Sequence, residues 1–95
     1  MEIQERTVTQ ERLKAYHETS KYKVYYEVTL GENKTYQSIN GTIKDVTNDQ
    51  IVGYVSKSYE LSVRVVNGKE SLLGEISQLA TETLALLDEE IKKLN

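Results

Sequence analysis

The sequence predicts an α+β fold: a small antiparallel sheet of three or four strands, covered on one face by a long C-terminal helix and preceded by a short N-terminal helix. Three observations carry this. Residues 71–95 hold a long apolar stripe at helical spacing, residues 22–30 alternate with a period of two, and clusters of turn-forming residues separate the periodic segments. With 95 residues the chain makes a single domain, 1–95, in which 1–20 is expected to pack most loosely.

The first segment carries Thr7-Val8-Thr9-Gln10, which fits a capping box, so a short helix is expected from about Val8 to Glu18. The competing reading makes Glu2–Thr9 an edge strand, because Thr7, Val8 and Thr9 favour β structure. His17, the one histidine of the chain, stands here without a second ligand or acid partner, which reads as a surface residue.

Tyr22 to Leu30 is the clearest strand. Tyr22, Val24, Tyr26, Val28 and Leu30 fall on one face, and Lys23, Tyr25, Glu27 and Thr29 on the other. Gly31-Glu32-Asn33-Lys34 is a loop, after which Thr35–Val46 returns antiparallel. Ile39, Gly41 and Ile43 then share the inner face. Tyr36 and Val46 have the opposite parity, so a bulge is expected near Asn40-Gly41.

Thr47-Asn48-Asp49-Gln50 repeats the capping pattern and predicts a helix from about Asn48 to Tyr59. Gly53 and the β-branched residues leave a strand through Ile51–Val55 as the alternative. Leu61–Val66 reads as a strand with Leu61, Val63 and Val65 inward. Asn67-Gly68 either closes a hairpin or redirects the chain into the last helix.

In that helix Leu72, Leu73, Ile76, Leu79, Ala80, Leu84, Leu86, Leu87, Ile91 and Leu94 share an arc roughly 160° wide, with Ser71 as its N-cap. The predicted core joins Tyr22, Val24, Tyr26, Val28, Leu30, Ile39, Ile43, Leu61, Val63 and Val65 to Leu73, Ile76, Ala80, Leu84, Leu87 and Ile91. The arc is wider than one sheet contact needs, and Thr83 and Glu90 fall inside it. Leu72, Leu79 and Leu86, spaced by sevens, with Thr83 beside them, are therefore expected to form the seam of a homodimer.

Composition narrows the functional classes. Without cysteine there is no disulfide framework, thiolate metal site or cysteine nucleophile. The residues show no phosphate loop, metal-ligand spacing or catalytic grouping, so no enzyme, cofactor or metal is expected. The charged start, Met1-Glu2-Ile3-Gln4-Glu5-Arg6, does not read as a signal peptide, and no apolar run is long enough for a bilayer; the expected compartment is the cytoplasm, with no membrane partner. Net charge is −3, and no basic tract is present to hold a duplex.

Two functional readings follow. In composition the chain resembles small phage or mobile-element proteins, which implies a non-enzymatic protein-binding module, an inhibitor or regulator that occupies a partner's surface. The alternative is an oligomeric binder of a nucleotide or other small ligand, using Lys23, Tyr25, Tyr36 and Arg64 on the outer sheet face to stack a base and meet its phosphate.

Overall fold

The computed structural model describes residues 1–7, 12–31 and 36–93, and the side chains of all of these except residues 5–7, 36 and 37. Among them the architecture is a six-stranded antiparallel meander in sequence order, with one long helix across one face. The strands are β1 (Glu2–Thr7), β2 (Arg12–Glu18), β3 (Tyr22–Leu30), β4 (Tyr36–Asp45), β5 (Ile51–Lys57) and β6 (Leu61–Val65). A 3₁₀ turn, Glu70–Leu72, leads into α1 (Leu73–Lys92).

The expected N-terminal helix is replaced by β1 and β2. Leu13 and Ala15 are buried while Arg12, Lys14 and Glu18 are exposed, an alternation that suits β2 to the edge of β3. Of the capping pattern that suggested a helix, Val8, Thr9 and Gln10 lie outside the described residues, as do Glu32, Asn33 and Lys34 of the next predicted loop and Leu94 of the helical arc.

The expected helix over 48–59 is likewise replaced, here by β5. Its Thr47–Gln50 pattern belongs to the β4–β5 turn. Asp45 accepts from the Thr47 N–H (2.8 Å) and hydroxyl (2.5 Å), Asn48 Oδ1 accepts from the Gln50 N–H (3.0 Å), and Asp49 takes a left-handed φ of 60°. The Thr47 bonds also hold the Asp45 carboxyl below its usual value.

The bulges fall elsewhere than at Asn40-Gly41. They lie between Ile3 and Glu5, between Thr29 and Leu30, and between Ile43 and Lys44, while Gly41 continues a regular ladder opposite Tyr26. Its role is steric: a Cβ there would stand 2.6 Å from Tyr26 Cε1. Gly53 does the same for the helix, since a Cβ on it would meet the Arg64 carbonyl at 2.8 Å and Ile76 at 3.3 Å. Asn67-Gly68 redirects the chain, with Gly68 at φ 88°.

The core lies between the sheet and α1. Val24, Tyr26, Val28, Ile39 and Ile43 meet Ile76, Ala80 and Leu87, joined by Leu13, Ala15, Val52, Val55 and Leu79. The predicted core fails at two places: Leu61 is 45% and Leu73 46% exposed. Leu61 is the first residue of the edge strand β6, and Leu73 the first of α1. Val63, Val65 and Leu84 pack against the core only in part.

Beneath the helix centre the Tyr26 hydroxyl and Thr83 Oγ1 are 2.6 Å apart, both buried. Thr83 directs its own proton to the Leu79 carbonyl (2.8 Å), so Tyr26 is the donor. This explains a threonine inside the apolar arc: it satisfies the one polar atom of an otherwise apolar tyrosine. Burial pushes the Tyr26 phenol up to about 12; Thr83 opposes the rise because its hydroxyl can turn to donate to the phenolate once the proton has left.

Candidate binding face of the sheet

The face away from α1 is set by strand parity. In β2, β3, β5 and β6 the residues alternate with the buried ones, and the register carries one row across the sheet: Tyr16 opposite Tyr25, Tyr25 opposite Thr42, Thr42 opposite Tyr54, and Tyr54 opposite Arg64. Glu2 of β1 extends the row beyond Tyr16.

Its side chains are held by one another. The Tyr16 and Tyr25 rings have centroids 5.0 Å apart, tilted by 35°. Lys44 Nζ lies 5.6 Å from the Tyr25 ring centre, and the Arg64 guanidinium carbon 5.6 Å from that of Tyr54. Tyr25 and Tyr54 remain 37% and 38% exposed. Between them stands the shorter Thr42, so the row dips over two strand spacings, about 10 Å, to a notch with a tyrosine on each side; the Lys44 that lies over Tyr25 comes from Thr42's own strand.

Charges on the face are largely balanced. Lys23 reaches Asp49 at 3.3 Å and Lys44 reaches the same carboxylate at 3.9 Å. The Asp49 hydrogen bond and charge raise the Lys23 ammonium above its ordinary value. Tyr16 donates to Glu18, and that bond, with burial and the Glu18 charge adding, pushes its phenol up to about 12. Among the described residues no carboxylate pairs with Arg64, whose charge is met by the Tyr54 ring.

Of the residues predicted from sequence, Lys23, Tyr25 and Arg64 share this face. Tyr25 and Arg64 stand in one row but three strands apart, with Thr42 and Tyr54 between them, so they do not touch. Tyr36 begins β4 opposite Leu30, six residues from Thr42, and its side chain lies outside those described. Tyr16, Lys44, Thr42 and Tyr54 were not anticipated. Tyr16 and Tyr54 sit in segments whose capping patterns suggest helices, although the Ile51–Val55 strand alternative carries Tyr54 with it.

The predicted helix seam is divided. Leu79 and Thr83 are buried against the chain's own sheet, Leu72 packs partly on the core, and Leu86 is half-buried. They do not form one open stripe. His17 is half-buried at the β2 end on the helix side, where burial and the nearby N-terminal charge lower its imidazole below the ordinary value.

Among the described residues no group of three or more His, Cys, Asp or Glu side chains is placed to hold a metal ion, and no helix is long and apolar enough to cross a membrane. No protein-family model, curated protein or solved structure matches the chain.

Proposed function

We propose that the protein is a non-enzymatic protein-binding module whose contact surface is the helix-free face of the sheet. The row Tyr16–Tyr25–Thr42–Tyr54–Arg64 carries this reading. Tyrosine and arginine are the side chains that most often anchor protein interfaces: they bring large rigid area, and a polar end that tolerates water before the partner arrives. Near-balance of charge on the face suits a folded protein better than a phosphate backbone. The fitting partner presents a carboxylate to Arg64 and a flat or branched apolar side chain to the notch at Thr42. Occupation of a partner's surface in this way is how an inhibitor or regulator without chemistry of its own would act.

The same rings also suit a nucleobase, the second reading. Against it, Tyr25 is flanked by Tyr16 and Lys44, and Tyr54 is covered by Arg64, so a base would have to displace a cation to stack. Affinity capture with the intact chain and with Tyr54→Ala, followed by mass spectrometry of proteins and small molecules, separates the two. A protein retained by the wild type and lost from the variant supports the first reading. A nucleotide retained in its place overturns it.

A further inference from the structure

The sheet has two edges, and they are not alike. β1 carries a bulge between Ile3 and Glu5 and an exposed charge at Glu2, devices that blunt strand pairing. β6 runs against β5 in uninterrupted register and has one charged residue, Arg64.

The hydrogen-bond phase of β6 follows from its ends. Val66 donates to the Val52 carbonyl at 3.0 Å and Ser58 to the Glu60 carbonyl at 3.5 Å. Both pairs continue the register in which Tyr54 meets Arg64 and Ser56 meets Ser62, so Ser62 and Arg64 turn their peptide groups towards β5. Leu61, Val63 and Val65 therefore direct theirs to the open edge. These same three carry their side chains on the helix side, where Leu61 is 45% exposed and the other two are half-buried. Beside Leu61 the gap between sheet and helix opens into a groove of about 340 Å³ walled by Ile39, Leu84 and Ala85 and rimmed by Lys57, Thr81 and Asp88.

We infer that β6 is the seam of a two-fold dimer, in which it pairs antiparallel with β6 of a second copy about Val63. That register puts Val63 against Val63 of the second copy, and Leu61 against its Val65. All three inner positions are then apolar on both sides, and each hydrogen-bonds through peptide groups free in the single chain. On the outer face Arg64 meets Ser62, so no like charges stand directly opposite. The strand is thus its own complement, which an arbitrary foreign strand is not. The two-fold axis runs through the sheet, both helices lie on one side, and the exposed Leu73 of the second copy is brought towards the groove beside Leu61. Pairing stops at two copies because the remaining edges are the bulged β1 strands. The two tyrosine rows then run outward from the seam, offset from each other by two residues, each ending at an Arg64 that faces Ser62 of the other copy.

Sedimentation of the intact chain at micromolar concentration tests this. The expected species has twice the 10.9 kDa chain mass. Val63→Pro removes an N–H that faces the open edge and no bond within the chain, so it should give a 10.9 kDa species with an unchanged circular dichroism spectrum. Leu61→Lys, at a half-exposed position, should do the same and serves should the proline variant unfold. A wild type that sediments as a single chain overturns the inference, as does a dimer that survives both changes. A dimer dissociated by Leu86→Lys but not by the β6 variants would place the seam on the helix instead. A monomer whose β6 variants lose a captured foreign protein would make the edge a site for that protein's strand.

Discussion

Thr83→Val is the change whose consequence is best defined by the structure. Valine keeps the branched shape and the apolar contact with the sheet, but it removes the acceptor that Tyr26 has, among the described residues, at 2.6 Å. The Leu79 and Ala80 carbonyls, to which Thr83 lies at 2.8 and 3.2 Å, belong to the interior of α1 and keep their helical bonds. The loss is therefore that of a buried phenol left without a partner, about 1–3 kcal/mol. Tyr26→Phe, which removes the donor and leaves a threonine still bonded to its own helix, should cost about 0.5–1.5 kcal/mol. The double variant should be no less stable than Thr83→Val alone, because the orphaned hydroxyl has gone. In a domain of this size each kcal/mol lowers the melting temperature by about 4–8 °C, so thermal and urea unfolding resolve the cycle. Strict additivity of the two single changes, or a Thr83→Val variant as stable as wild type, would refute the buried bond.

Two further perturbations test the packing around the same tyrosine. Gly41→Ala puts a methyl group 2.6 Å from Cε1 of a ring fixed between sheet and helix, and should cost about 1–3 kcal/mol in urea unfolding. The Tyr26 phenol is raised from 10.0 to about 12 by burial, so its neutral form is favoured in the folded state. Its contribution is fully present below pH 10 and is lost as the pH rises through about 12, hence alkaline unfolding should be steeper in the wild type than in Tyr26→Phe.

The legible parts of the fold were those where a periodic pattern coincided with burial. β3 alternates without interruption from Tyr22 to Leu30, and all five of its predicted inner residues are buried. β5 was harder to read because its bulge makes neighbours Val52 and Gly53 both inward, which breaks the alternation and leaves Ile51, Val52 and Val55 at spacings that also suit a helix. The capping pattern at Thr47–Gln50 is a local signal that serves the β4–β5 turn instead, and residues 12–18, expected in the first helix, pair as a strand with β3. Two of the five residues of the row were hidden for this reason: Tyr16 and Tyr54 become part of it only once β2 and β5 are strands. Thr83 was visible as an anomaly in the helical arc. Its cause, a buried hydroxyl on the opposing strand, was legible in the inward parity of Tyr26.

Localisation of binding to the tyrosine face is tested most directly by calorimetric titration of the captured partner protein against the wild type, Tyr54→Ala, Arg64→Glu and, as the helix-side control, Leu73→Ala. Tyr54 and Arg64 should behave as anchors, each change weakening binding by about 2 kcal/mol or more, roughly thirtyfold, with the fold intact by circular dichroism. Leu73→Ala should leave the affinity unchanged. Equal affinities for the wild type and both face variants, or loss of binding through Leu73 alone, would contradict the assignment.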